Sequence, residues 1–203
     1  ANEMSLSAGL NTRIYGMANF KKGSIAAIRH VVIPTIGFSI RPDYGRQHFG
    51  YYKTVTDSMG IERLYSIFNG STPTGISYNS IFGGPAAGKY GFLSFGVDNI
   101  LEMKTRQVTD TAVNLKKIKI LEGFSLNTGY NLAATQFKWS VLNMAARTTI
   151  LEKFTLNGTA VFDPYAIDSS GLRINAFQYN NNGNLFRFTN ATVALGFSLN
   201  SVM

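Results

Sequence analysis

Between Ala191 and Asn200 the chain sets Val193, Leu195, Phe197 and Leu199 against Thr192, Ala194, Gly196, Ser198 and Asn200. A period of two is that of a β-strand whose faces meet different surroundings. The same rhythm recurs over roughly seven segments: 3–17, 28–41, 90–104, 117–132, 137–150, 154–162 and 185–200. In each, one side carries large apolar residues and the other mostly Ser, Thr, Asn and Gly. The third segment sets Leu93, Phe95 and Val97 against Ser94, Gly96 and Asp98. The sixth sets Phe154, Leu156, Ala160 and Phe162 against Thr155, Asn157, Thr159 and Val161. These segments run to roughly 9–15 residues, where soluble strands centre on about 5–6 and a tilted bilayer-crossing strand needs about 9–11.

The connections sharpen this reading. Lys21–Ser24, Gln107–Lys116 and Leu151–Lys153 fall on one side of the alternating strands. Pro42–Lys89, Ala133–Gln136 and Asp163–Asn184 fall on the other, and two of these are the longest in the chain. Outer-membrane barrels pair short periplasmic turns with long external loops, which predicts external loops at about 42–89 and 163–184. Pro34 interrupts the second segment and lacks a ladder donor, so an edge or a bulge is expected there.

Charge bears on which face is wet. Arg13, Asp98, Glu102 and Arg147 fall on the small-polar side, and the alternation leads us to expect no ionised residue mid-strand on the apolar side. Charged residues make up 15% of the chain and aromatics 13%. The exposed face of a soluble sheet is ordinarily rich in Lys and Glu, so a face of Ser, Thr, Asn and Gly fits a watery lumen better. The fold class this predicts is all-β: an antiparallel transmembrane β-barrel segment of about seven strands, with residues 1–203 forming part of a larger outer-membrane barrel. An odd strand count cannot close a single-chain bacterial barrel. A soluble β-sandwich serving in binding or adhesion remains the alternative of a different class. Another large outer-membrane translocon or a porin is the alternative of the same class.

Net charge is +8, but the basic residues are scattered, mostly between strands, and nucleic acid is not expected as a partner. Cysteine is absent, which removes a disulfide scaffold. Gly83–Lys89 fits a phosphate-loop pattern, yet Tyr90 stands where Ser or Thr is needed and a strand follows in place of a helix. It reads as a loop-to-strand junction. His30 and His48 are the only histidines and suggest no metal site. Asp98 and Glu102 share a strand face beside Lys104, a pattern better suited to a charge cluster than to acid–base catalysis. Neither a catalytic, a metal nor a cofactor site is expected. Of the three Asn-X-Ser/Thr triplets, those at 157–159 and 190–192 fall inside strands and look accidental. Tyr130, Phe137 and Trp139, and at another loop base Phe162 and Tyr165, are placed as an interfacial aromatic girdle would be.

Several stretches, in order along nearly the whole chain, carry a resemblance. They include Arg29–Thr35 leading to Phe38–Asp43, then Gly50-Tyr51-Tyr52, Gly83-Gly84-Pro85 and Asn99–Lys104. Ser125–Asn131 with Trp139-Ser140, then Phe162–Ala166, Arg173-Ile174-Asn175 and Leu185–Ala191, continue it. Together they resemble the barrel domain of the LptD family of lipopolysaccharide-assembly proteins, in its Bacteroidetes form, and cover part of that barrel. The resemblance implies a non-enzymatic outer-membrane translocon, without cofactors, that inserts lipopolysaccharide into the outer leaflet. It implies as partners an LptE-like plug lipoprotein, lipopolysaccharide, periplasmic transport bridge components and outer-membrane lipid. Arg13, Lys104 and Arg147 are candidate lumen-facing contacts for lipopolysaccharide phosphates, on the strength of their face assignment.

Overall fold

The structure is a computed structural model that describes residues 2–71, 77–79, 83–109, 112–150 and 153–197, with the backbone alone described at 69–71, 77–79, 108–109 and 112–113. The strands in chain order are β1 (Leu6–Asn11), β2 (Ile14–Asn19), β3 (Ile25–Arg41), β4 (Tyr52–Thr56), β5 (Glu62–Ser66), β6 (Asn69–Ser71) and β7 (Ser77–Asn79). They continue with β8 (Tyr90–Thr109), β9 (Ala112–Asn131), β10 (Leu142–Ile150), β11 (Phe154–Asp163), β12 (Tyr165–Ile167), β13 (Arg173–Phe177) and β14 (Arg187–Phe197). The chain forms two compact units, Ala1–Ala8 with Phe38–Phe92 and Gly9–Gly37 with Leu93–Met203.

The large sheet has the order β1-β3-β8-β9-β10-β11-β14, with β2 also paired to β3. The β2–β3, β9–β10, β10–β11 and β11–β14 ladders are antiparallel. The sheet is all-β as expected. It does not close on itself among the described residues, where β1 and β14 are its terminal strands.

Two departures from the sequence pattern have clear causes. The single strand expected over 3–17 is split into β1 and β2, with Thr12 and Arg13 between them. The break lies beside Pro34, whose carbonyl accepts from the Thr12 amide at 3.3 Å but which has no N–H to return. The polar connector expected at Gln107–Lys116 is instead strand: β8 runs to Thr109 and β9 resumes at Ala112, each 20 residues long. Backbone pairing there outweighs a composition rich in Lys, Thr and Gln, because an antiparallel hairpin satisfies its own amides whatever its side chains.

The register confirms two unlike faces in the second unit. Across β10, β11 and β14 the rows Met144–Ala160–Ala191, Ala146–Gly158–Val193, Thr148–Leu156–Leu195 and Ile150–Phe154–Phe197 lie on one side. Asn143–Val161–Asn190, Ala145–Thr159–Thr192 and Arg147–Asn157–Ala194 lie on the other. The β9 pairing carries the pattern on, with Leu126 and Phe124 beside Met144 and Ala146 and with Asn127 and Ser125 beside Asn143 and Ala145. The small-polar side is also tight. A Cβ at Gly37 would collide with Ser94 Oγ, and one at Gly96 would lie 2.8 Å from Asn127 Oδ1. The apolar side chains at the β14 end are open, with Val193 at 71% and Leu195 at 70% exposure.

In the other unit, the described parts of 42–89 are built rather than loose. It holds the β4–β5 and β6–β7 hairpins and a short 3-10 turn at Gln47–Phe49. Tyr44 is buried against Phe49, ring centroids 4.8 Å apart, and against Tyr51 at 5.9 Å. Asp57 closes the β4–β5 turn by accepting from the Met59 and Ile61 amides, both at 2.9 Å, with Gly60 at φ +76°. The Gly83–Lys89 stretch is the junction expected. The Tyr52 hydroxyl donates to the Pro85 carbonyl at 2.8 Å and accepts from the Ala87 amide at 3.1 Å, and β8 follows.

Candidate functional site

The small-polar face carries its charges in pairs. Glu102, in β8, is 7% exposed and lies between cations from both neighbouring strands. Arg29 of β3 pairs with one carboxylate oxygen, and Lys117 of β9 pairs with the other at 2.8 Å. Alternation puts all three on one side of the sheet. A carboxylate this enclosed stays ionised only when charged donors meet it. Arg29, Glu102, Lys104 and Lys117, with Met17 and Met103, surround a cleft of about 280 Å³. Four residues along β8, the Arg106 guanidinium donates to the carbonyls of Gly23 at 2.7 Å and Ile25 at 2.9 Å and also to that of Phe20. It thereby ties the end of β8 to the β2–β3 turn.

The three cations singled out from sequence are not brought together. Arg13 sits exposed in the break between β1 and β2. Lys104 lines the Glu102 cleft. Arg147, in β10, lines a different cleft of about 270 Å³ with Asp98, Ser125, Asn157 and Thr159, and its Nε lies 3.1 Å from Glu122. By parity Glu122 would follow Phe124 and Leu126, yet its carboxylate meets Arg147, which the register places on the small-polar side, just past the Arg147–Gly123 pair where the β9–β10 ladder ends. The apolar alternation resumes beyond it in Ile120 and Ile118, and the ion pair with Arg147 offsets the cost of the Glu122 carboxylate. His30 likewise falls in step with the apolar Val32 and bonds Asn99 across the sheet at 3.1 Å.

Sequence alone singles out Lys104 but not Arg29 or Lys117. The signal was available in their parity, since Lys117 is in step with Gly123 and Ser125, but partnership with Glu102 needs the register of three strands. At the opposite end of the sheet, buried Asp163 accepts from Arg173 at 2.9 Å and Arg187 at 3.3 Å. The Arg173 guanidinium stacks over Tyr165 at 4.6 Å and Phe137 at 5.0 Å. Phe137 holds φ at +51°, unusual for a side chain of its size. Its amide donates to Asn175 Oδ1 at 2.9 Å and its ring meets the Tyr165 edge, so the conformation is fixed from two sides. Trp139, Phe177, Tyr179, Leu185 and Phe186 border a mostly apolar hollow of about 340 Å³ there.

In the loops, the Asp43 carboxyl is held below its ordinary range by the Gly88 amide, donating at 2.7 Å, and by the Gly45 amide at 2.9 Å. The Asp57 carboxyl is lowered likewise, chiefly by the Ile61 amide and the Arg63 side chain. Among the described residues no helix is long and apolar enough to cross a membrane, which leaves strand-crossing proteins untouched. No grouping of His, Asp and Glu suited to a metal ion occurs among them either.

A family model described as LptD protein matches residues 1–165. The chain belongs to the LptD family. LptD proteins act in lipopolysaccharide transport at the outer membrane and are transport proteins built on a β-barrel. No curated protein and no solved structure matches the chain.

Proposed function

We propose that this chain forms part of the wall of an outer-membrane translocon that inserts lipopolysaccharide into the outer leaflet without enzymatic chemistry. The observation that carries the reading is the LptD match over 1–165 on a sheet whose register separates a large-apolar face from a small-polar one. In this reading the apolar rows ending at Val193 and Leu195 face lipid, and the Thr, Asn, Ser and Gly rows line the aqueous interior. Residues 1–203 are one stretch of the barrel domain, with 42–89 and 163–184 outside the cell and the β2–β3, β8–β9 and β10–β11 turns in the periplasm. Arg13, Lys104 and Arg147 meet phosphates of the passing glycolipid. An LptE-like lipoprotein in the lumen and the periplasmic bridge are the protein partners.

Depletion of the protein in its own cell, read by labelling of surface lipopolysaccharide, tests this. Surface lipopolysaccharide should fall while the total does not. Unchanged surface labelling would favour a porin or another translocon. Extraction as a monomer without detergent would favour the soluble sandwich instead.

A further inference from the structure

We infer that the cleft around Glu102 is a binding site for a phosphate group, with Glu102 as a built-in stand-in that the phosphate displaces. Three cations, Arg29, Lys104 and Lys117, face one carboxylate across this cleft, leaving two positive charges in excess. Among the described residues Lys104 has no ion pair, whereas Arg29 and Lys117 share the two oxygens of Glu102. A phosphate monoester carries about −1.5 to −2 charge near neutral pH and presents three acceptor oxygens. It therefore matches both the excess charge and the number of cationic donors, which a carboxylate does not.

The surroundings favour exchange over a permanent salt bridge. The Arg29 and Lys117 side chains are 46% and 51% exposed, so their outer faces are open to a second anion while Glu102 holds the inner ones. Met17 and Ala27 give the cleft an apolar wall, where a charge-assisted hydrogen bond gains over its value in water. Arg106 keeps the β2–β3 turn against β8, so Arg29 is presented from a fixed backbone. Arg147 offers no comparable site, because it stands singly opposite Glu122.

The site extends the transport reading and rests on it for the assignment of this face to water. On that reading its place near the β2–β3 and β8–β9 turns makes it a periplasmic-side station for an anionic headgroup. Free phosphate and a lipid phosphate present the same group, and the same chemistry would hold both.

The test is titration of the purified protein in neutral detergent with inorganic phosphate and, in parallel, with micelles doped with phosphatidic acid or with diacylglycerol of the same tails. Glu102→Gln removes the competing charge and should tighten phosphate or phosphatidic acid by about fivefold, the scale of one partly exposed charge pair. Lys104→Gln, which breaks no ion pair among the described residues, should weaken either by a similar factor. Binding of phosphatidic acid alone assigns the site to a lipid headgroup, and binding of both assigns it to the phosphate group as such. Equal response to diacylglycerol, or affinities that neither variant moves, overturns the proposal. Surface-lipopolysaccharide labelling on depletion reads the transport function separately, so either reading can fail without the other.

Discussion

The β10–β11–β14 side of the large sheet and the far ends of β8 and β9 are made by the same alternation but serve different surroundings. β10 and β11 are 9 and 10 residues long, matching one tilted crossing. Their large residues stay on one face, and the outermost of them are open. β8 and β9 are 20 residues each, about twice that length. Beyond Asn99 on β8 and before Phe124 on β9, ionised side chains gather: Glu102, Lys104, Arg106, Lys117, Lys119 and Glu122. Strand length alone therefore does not mark a membrane span. The extensions of β8 and β9 keep an apolar row, Leu101 and Met103 on one and Ile118 and Ile120 on the other, and differ in the charge gathered on their small-polar side.

Four outcomes would break or sharpen this contrast. The largest effect is expected at Val193, on the apolar face of β14. Val193→Arg should cost about 2–4 kcal/mol in urea unfolding of vesicle-reconstituted protein, the midplane value for a lipid-facing cation. A change within about 0.5 kcal/mol is what an ordinary wet surface gives and would remove lipid from that face. Next is Arg106→Gln, which strips charged donors from the β2–β3 turn carbonyls and should cost about 1.5–3 kcal/mol in the same assay. Amide exchange at Phe20–Ile25 should quicken with it, and unchanged exchange would mean the turn holds itself.

Ile118→Arg probes the β9 extension on the side in step with Ile120 and Phe124. It should cost about 0–1 kcal/mol, as near an interface. A cost equal to that of Val193→Arg would extend the lipid belt over the charged end and erase the contrast. The smallest effect concerns the loops and comes from pH. Asp43 has a folded value below its ordinary 3.8, so its contribution is complete above that value and is lost as pH falls below it. Protease cutting within 42–89 should rise over that interval, and Asp43→Asn should make cutting at neutral pH resemble that of the acidified protein. If cutting in the variant still rises below pH 3.8 as in the parent, another acid holds the loop.

Much of this was legible along the chain, for a physical reason. A strand's period is fixed by its own backbone, so the faces of β10, β11 and β14 are written in residues two apart. So too is the small-polar character of one face, since Ser94, Gly96, Asn127 and Thr159 each sit in step with their strand neighbours. Pro34 announced a fault, because its missing donor is a property of the residue itself. The order within 42–89 was less visible. Tyr44, Phe49 and Tyr51 signal an aromatic cluster, but the Asp43 bonds to Gly45 and Gly88 depend on where the chain returns 45 residues later.

What only the tertiary structure decided concerns partners on different strands. Glu102, Arg29 and Lys117 are far apart in sequence and meet only because β3, β8 and β9 are neighbours in one register. Asp163 with Arg173 and Arg187, and Glu122 with Arg147, are cases of the same kind. The length of β8 and β9 was also settled by pairing, since two polar strands gain from each other's backbone what neither shows in its side chains. The sequence by itself determined which side of each strand is apolar and which is small and polar, because that is local. Which charges stand together on the polar side, and how far β8 and β9 run, followed from strand pairing alone.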